Sequence, residues 1–230
     1  MTRTVVALGL AVGSTAWAAP PEDVHLDLVA GTTFPVDVGG RLQLELPHRL
    51  RLGFAGGWLP HAYIDVVNEI ALAAGWYDDD TGRLVSEGLA DAAVFGVDLG
   101  WRPIPRKGLI LGAGYQLVAL GGGLVPTDLV SAAVPLGGLG RSAGSADLSS
   151  LLHTVTVHLG YEQVWLDHLV LRVAVGGMFT VWSSTDIEGS GGLLGASDAT
   201  WTRAEEYLDQ TYRSYVHTPS LAVQLGYRFF

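Results

Sequence analysis

Hydrophobic and polar residues alternate along most of the chain, which is the period-2 pattern of a β-strand with two different faces. From Val36 to Leu46, every second residue except Gly40 is Val or Leu, and the positions between are mostly polar or glycine. Seven further segments share the pattern. We therefore predict eight strands, at about 24–33, 36–46, 50–58, 92–101, 109–119, 152–162, 169–180 and 219–229.

The two faces of these strands differ in size as well as in polarity. One face carries large apolar side chains, such as Leu50, Leu52, Phe54 and Trp58. The other is rich in small residues, namely Gly53, Ala55, Gly57, Gly96, Gly100, Gly112, Gly114, Gly160, Gly176 and Gly226. A soluble barrel would need this second face as its solvated surface, and glycine weakens a strand there. Small residues suit the lumen of a narrow barrel whose apolar side chains face lipid.

The predicted connections alternate between short and long. Those at 47–49, 102–108 and 163–168 are short, whereas those at 59–91, 120–151 and 181–218 are long. Short periplasmic turns with longer extracellular loops are typical of outer-membrane barrels. Aromatic residues gather at the predicted strand ends, as in a membrane-interface girdle: Trp58, Trp101, Tyr161, Trp165, Trp182 and Tyr227.

In these features, and in its last strand Leu221–Phe230, the chain resembles the small eight-stranded outer-membrane β-barrel proteins of Gram-negative bacteria. The resemblance implies an all-β fold, a single antiparallel up-and-down transmembrane β-barrel with periplasmic termini and extracellular long loops. It also implies contact with outer-membrane lipid and lipopolysaccharide. Assembly by the barrel-assembly machinery would use a C-terminal aromatic signal, here Tyr227, Phe229 and Phe230, with Phe230 one position out of phase.

Residues 1–18 have the pattern of an export signal. Arg3 supplies a basic start, an apolar run follows from Val5 to Val12, and Ala16-Trp17-Ala18 matches a small-x-small cleavage site. We predict that this segment is removed, which leaves 19–230 as one barrel domain. A core helix at the N terminus is the alternative.

Composition excludes several classes of function. Of the 13 Lys and Arg residues, all but Arg3 remain after cleavage, so 12 basic residues face 23 acidic ones, a formal charge of about −11. This charge argues against nucleic acid as a partner. The absence of cysteine removes disulfides, thiol nucleophiles and Cys-based zinc sites. The acidic run Asp78–Asp80 lacks the ligand spacing of a calcium loop, so we expect neither a metal nor a cofactor.

A few charged residues fall on the small-residue face, near the predicted periplasmic end. Turns centred on His48 and near Asp167 would place one acid opposite one arginine in each hairpin. Three acidic and three basic side chains would then lie close together. Because buried charges need partners of opposite sign, we expect them to form ion pairs. The cluster is either a gate or ion-pair plug, or a polar filling of the barrel. Its predicted members are Glu45, Arg51, Asp98, Glu162, Arg172 and Arg228.

The long loops contain helical patterns. Helical spacing appears at 60–76, 126–134 and 198–215, with Thr127 as a candidate N-cap. We predict short helices that pack together as a cap over the barrel mouth. Mobile surface loops with partial helicity are the alternative.

No residue set in the sequence defines a catalytic site. The candidates for rim chemistry lie outside any Gly-x-Ser-x-Gly elbow: Ser149, Ser150, His153, Ser214, His217 and Ser220. We therefore predict a non-enzymatic protein with a structural or surface-interaction role, whose extracellular partner the sequence does not identify. A narrow gated channel for ions or small solutes is the first alternative, and a rim-sited lipid-modifying enzyme is the second.

Overall fold

The computed structural model describes residues 24–73, 92–104, 108–126, 145–190 and 198–230. Over these ranges, eight antiparallel strands pair in sequence order, and the last strand pairs with the first to close a barrel. The predicted all-β up-and-down architecture is therefore confirmed. The strands are β1 His25–Phe34, β2 Asp37–Leu46, β3 Leu50–Trp58, β4 Ala93–Trp101, β5 Leu109–Pro126, β6 Ser145–Trp165, β7 Leu169–Ser190 and β8 His217–Arg228.

The barrel has a turn end and a loop end. The turn end carries Pro47–Arg49, residues 102–104, Gly108 and residues 166–168, together with the start of β1 and the end of β8. In the last of these turns, the His168 N–H donates to the Trp165 carbonyl over 3.2 Å. Leu166 and Asp167 have φ of 53° and 63°, as in a type I′ turn that matches the strand twist. In the described residues, the loop end carries residues 35–36, 59–73 and 198–216, together with Ala92 before β4.

Three strands extend further toward the loop end than the hydrophobic pattern predicts. β5 continues to Pro126, β6 begins at Ser145 and β7 continues to Ser190, so the predicted connections 120–151 and 181–218 are partly strand. β7 has a bulge at Val181, opposite His153 and Thr154 of β6, and β5 has one at Gly122, so the pairing register shifts near the positions where the predicted alternation stops. Because a bulge reverses the phase of the side chains, one continuous alternation cannot describe both halves of such a strand.

The apolar face points outward and the small-residue face lines the lumen. Phe54, Phe95 and Leu99 each expose half or more of their surface. On the other face, a Cβ atom added at Gly53 would collide with the Asp98 carboxylate, and one added at Gly112 would collide with the His158 ring. The lumen is thus filled by long polar side chains that lie over glycines on neighbouring strands.

Two helices occur in the described parts of the long loops. They are α1 His61–Ala73 and α2 Asp198–Tyr215, at two of the three predicted positions. For the third position, Pro126 belongs to β5, and 127–134 lie outside the described residues, as do the signal segment 1–18 and Asp78–Asp80. Neither described helix has the length and hydropathy needed to cross a membrane.

Candidate functional site

The turn end of the lumen is filled by a network of buried charges, which we call the ionic floor. Its side chains project inward from six strands and from the turn after β4, because they share the phase of the lumen-facing glycines. Among the described residues, it consists of Asp27, Glu45, Arg51, Arg102, Glu162, Arg172 and Arg228.

Glu162 is the hub of the ionic floor, with a side chain that has no exposed surface. Its Oε2 accepts hydrogen bonds from Arg51 Nη1 at 2.8 Å and Arg172 Nη2 at 2.5 Å. Its Oε1 accepts from Arg228 Nη2 at 3.1 Å and from Arg102 Nη2. One carboxylate thus holds four guanidinium groups, which come from four separate parts of the barrel wall.

The other two carboxylates of the network, Asp27 and Glu45, bind further donors of its arginines. Asp27 binds Arg228 in a bidentate manner, with Nε to Oδ1 at 2.8 Å and Nη2 to Oδ2 at 3.0 Å. Glu45 accepts a hydrogen bond from Arg102 Nη2 at 3.1 Å and lies 3.6 Å from Arg51 Nε. The planar fork of arginine suits such shared pairing, because it offers five donors in a fixed geometry.

Acids and bases are unequal in the ionic floor. Three carboxylates meet four guanidinium groups within the described residues, so the fully charged network carries a formal charge of +1. A buried ion pair is stabilising only when its charges are matched and hydrogen-bonded.

Five of the six residues predicted for the lumen cluster lie in the ionic floor. The register places Glu45 opposite Arg51 and Glu162 opposite Arg172, and Arg228 also joins the floor. Asp98 does not join it. It lies four residues before Arg102, which is about 13 Å along the strand, and it contacts Arg41 at 3.4 Å instead.

Two members of the ionic floor were missed. Asp27 lies between Leu26 and Leu28, and Arg102 follows Asp98 and Gly100 at intervals of two. Both therefore have the inward phase of the alternation. That signal was available, but Arg102 falls in a predicted turn, where the phase of a strand is not expected to continue.

Above the ionic floor, the lumen contains a cavity of about 50 Å³, which we call the chamber. Its lining includes Arg51 and Arg172 from the floor. Its other polar side chains in the described residues are Thr33, Arg41, Gln43, Asp98, Gln116, Thr156, His158, Ser220 and Gln224. The chamber is larger than the roughly 10–15 Å³ that one water molecule requires.

An apolar layer lies in the lumen toward the loop end. It is formed by Val36, Ala92, Val94, Val118, Leu120, Leu152 and Met178, all buried. Leu59, Tyr212 of α2 and Val216 pack against it. Burial raises the pKa of the Tyr212 hydroxyl, although a hydrogen bond with Ser150 opposes this shift. The layer and the ionic floor thus bound the chamber on opposite sides.

Helix α2 is attached to the extended part of β7. The Ser183 and Thr185 hydroxyls donate to the Asp209 carbonyl at 3.1 Å and to the Asp209 carboxylate at 2.8 Å. The Ile187 N–H donates to Glu205 Oε1 at 3.1 Å. Ala204 and Leu208 are buried on the same helix. These contacts hold α2 over the apolar layer.

Helix α1 is held at the end of β1. The Tyr63 hydroxyl lies 2.5 Å from Thr32 Oγ1, and its ring meets Phe34 edge-on with centroids 5.1 Å apart. Ile64 is buried. Each helix therefore packs against strand ends at the loop end.

The serines and histidines considered for rim chemistry are dispersed. His153 faces outward, where its Nδ1 pairs with the Tyr115 hydroxyl and its ring meets Trp182 at 4.4 Å. Ser150 faces inward and lies 3.0 Å from the Thr185 hydroxyl. Ser149 is paired across the sheet with Asp186, Ser220 lines the chamber, His217 lies against Phe179, and Ser214 is exposed on α2.

The last residues close the barrel at the turn end. Phe229 N–H donates to the Leu26 carbonyl at 2.9 Å, and Leu26 N–H donates to the Phe230 carbonyl at 3.3 Å. The Tyr227 and Phe229 rings pack edge to face with centroids 5.4 Å apart. All three aromatic side chains are exposed on the barrel surface.

Comparison with known proteins gives a likeness of fold only. No family model and no curated protein matches the chain. The N-terminal β-barrel domain of Pseudomonas aeruginosa OprF is similar to it with 10% identity, 90% of this chain and 96% of that one covered, and a TM-score of 0.41.

Two further structures come from Acinetobacter baumannii. CarO2 has 12% identity, coverage of 89% and 98%, and a TM-score of 0.39. CarO has 11% identity, coverage of 89% and 97%, and a TM-score of 0.37. The architecture of this chain therefore rests on its own strand register, which is that of a small eight-stranded barrel.

Proposed function

We propose that this protein is an integral outer-membrane β-barrel with a closed lumen and a structural or surface-interaction role. The observation that carries the proposal is the outer face, where large apolar side chains remain exposed on every described strand. Soluble proteins rarely expose a continuous apolar surface of this extent, whereas hydrocarbon favours it. Aromatic rings at both ends of the barrel support the same placement, with the turn end periplasmic and the loop end extracellular.

The closed lumen follows from its two barriers. Water and ions that enter from the turn end meet the ionic floor, whose carboxylates are at most 1% exposed. From the loop end they meet the apolar layer beneath α2. An eight-stranded barrel is only wide enough for its own side chains, so both barriers extend across the lumen.

Planar-bilayer recording tests this proposal. We expect no steady conductance from the wild-type protein or from Arg172→Ala, because the apolar layer remains when the floor is weakened. Arg203→Ala, on the exposed surface of α2, controls for the loss of one positive charge. Unheated detergent gels first establish that each variant is folded.

A narrow gated channel is the second candidate function. The observation that favours it is the polar chamber, which would form part of a continuous path if both barriers opened. Steady conductance that rises in Arg172→Ala but not in Arg203→Ala would support the channel and contradict the closed barrel.

We propose further that the protein is not an enzyme. The dispersed arrangement of His153, Ser150 and the other candidates supports this, because acyl transfer by serine needs a base within hydrogen-bonding distance. Mass spectrometry of lipid A from cells with and without the protein should give identical profiles. A new lipid A species that disappears in His153→Ala would overturn the proposal.

We also propose that lipopolysaccharide surrounds the outer face and that the barrel-assembly machinery recognises Tyr227, Phe229 and Phe230. Phe229 continues the outward phase of Tyr227 and is 50% exposed. We therefore expect Phe229→Ala to reduce the amount of assembled barrel in the outer membrane more than Phe230→Ala does. Equal or reversed effects would assign the signal to the terminal residue.

A further inference from the structure

We propose that the chamber is a binding site for one small monovalent anion, such as chloride. The inference concerns the interior of the barrel and is separate from the proposed surface role. It rests on the charges, the unpartnered hydrogen-bonding groups and the enclosure of the chamber.

Charge is the first argument. Among the described residues that line the chamber, three are arginines and one is an aspartate, and His158 is also present. Asp98 pairs with Arg41 at 3.4 Å. Arg51 and Arg172 belong to the ionic floor, in which four guanidinium groups share three carboxylates. Among the described lining residues, three guanidinium groups therefore face one carboxylate.

A further buried carboxylate, Asp37, interacts electrostatically with Arg41 but lies far from the ionic floor. It is buried at the start of β2, on the same face as Arg41 but outside the chamber lining. Eight residues separate it from Glu45 in the floor, roughly 26 Å along the strand. An anion in the chamber lies much closer to the floor.

Unpartnered donors are the second argument. Arg172 is 5% exposed, and its Nε has no hydrogen-bond partner within the described part of the chain. Arg41 Nε is likewise unpartnered there. Both arginines line the chamber, and a buried N–H group without a partner requires an acceptor.

Two glutamines add adjustable groups. Gln116 and Gln224 are each 6% exposed, and the carbonyl oxygen of each lacks a partner among the described residues. Rotation of either side-chain amide by about 180° interchanges the positions of its oxygen and its NH₂ group. Each glutamine can therefore donate hydrogen bonds to an anion. The chamber thus combines cationic and neutral donors, as anion sites commonly do.

Enclosure is the third argument. The volume of about 50 Å³ admits a halide and excludes a large organic anion such as gluconate. The ionic floor and the apolar layer separate the chamber from both ends of the lumen. The anion would therefore enter as the barrel folds, and it should be supplied during refolding.

The experiment compares protein refolded from urea into detergent with sodium bromide and with sodium gluconate at equal ionic strength. We expect bromide to raise the thermal unfolding midpoint, measured by the gel shift of the folded barrel. Asp98→Asn should enlarge this shift, because it removes the only lining carboxylate among the described residues. Arg41→Gln should diminish it, and Arg203→Gln on α2 should leave it unchanged.

Crystals of the bromide-refolded protein provide a direct readout. We expect one anomalous bromine peak in the chamber, within hydrogen-bonding distance of Arg172 or Arg41, with lower occupancy in Arg41→Gln. No peak in the lumen, together with equal midpoints in bromide and gluconate, would overturn the proposal and assign only water to the chamber. Opposite responses of Asp98→Asn and Arg41→Gln distinguish a bound anion from a general salt effect, which would affect all variants equally.

Discussion

The two ends of this lumen are closed by opposite kinds of chemistry. At the turn end, Glu162 joins four arginines through charged hydrogen bonds. At the loop end, seven buried apolar side chains pack together beneath Tyr212 and Val216. The ionic floor at the turn end depends on one carboxylate that four arginines share, whereas the apolar layer at the loop end depends on the close packing of its side chains.

The two layers should therefore differ in how they respond to substitution. Removing one member of a buried ion network leaves its partners charged and unpaired, which costs more than the pair itself contributes. Removing part of an apolar side chain leaves a cavity that neighbours can partly fill. The ionic floor should therefore respond abruptly to substitution, and the apolar layer should respond gradually.

The largest effect is expected for Glu162→Gln. The substitution leaves four guanidinium groups with two carboxylates, and we expect the free energy of unfolding to fall by about 3–5 kcal/mol. Reversible urea unfolding in lipid vesicles measures this change. Glu206→Gln, exposed on α2, is the matched control and should change the free energy by less than about 0.5 kcal/mol. Equal effects of the two substitutions would mean that the ionic floor does not stabilise the folded barrel.

A smaller effect is expected in the apolar layer for Leu152→Ala. The buried side chain leaves a cavity, and we expect a loss of about 2–3 kcal/mol because Tyr212 and Val216 can relax toward it. Its neighbour Leu151 points outward and is 37% exposed. Leu151→Ala should cost only about 1 kcal/mol, since lipid or water fills the space. If Leu151→Ala proved the more damaging of the two, the assignment of inner and outer faces at this position would be wrong.

The smallest effect is expected for Thr185→Val, which removes the hydrogen bond from β7 to Asp209 in α2 and the contact of the same hydroxyl with Ser150 on β6. A net loss of about 1 kcal/mol should raise the rate of trypsin cleavage at Arg203 and Arg213 roughly fivefold, provided that cleavage follows local opening. Thr211→Val is the control, because its hydroxyl donates to the Tyr207 carbonyl within α2 itself. Equal cleavage rates in the two variants would mean that the Thr185 contact does not hold the helix.

The sequence predicted the barrel because alternation is a local signal that each strand carries by itself. It also predicted Glu45–Arg51 and Glu162–Arg172, since a tight turn fixes the register of the two strands beside it. These pairs need only neighbouring strands. The approach of Arg228 to Asp27 depends on closure between the last and first strands, which a linear pattern does not contain.

The remaining errors have physical causes of the same kind. Asp98 was assigned to the ionic floor by its strand alone, but its height in the barrel depends on the stagger of all eight strands. The extensions of β5 and β7 were missed because bulges at Gly122 and Val181 interrupt the alternation, and the extension of β6 was missed because residues 145–150 are mostly polar or small. The chamber was not predicted, because an internal space follows from side-chain packing across the lumen.

The orientation of the outer face is the central claim, and spin labelling tests it most directly. The chain contains no cysteine, so single cysteines can be placed at Phe95, Val97 and Leu99 on β4, with Arg203 on α2 as the water-exposed control. In lipid vesicles, we predict that labels on β4 are relaxed strongly by oxygen and weakly by a water-soluble nickel chelate, with the reverse at Arg203. Labels on β4 that the nickel chelate relaxes as strongly as the label at Arg203 would contradict the account.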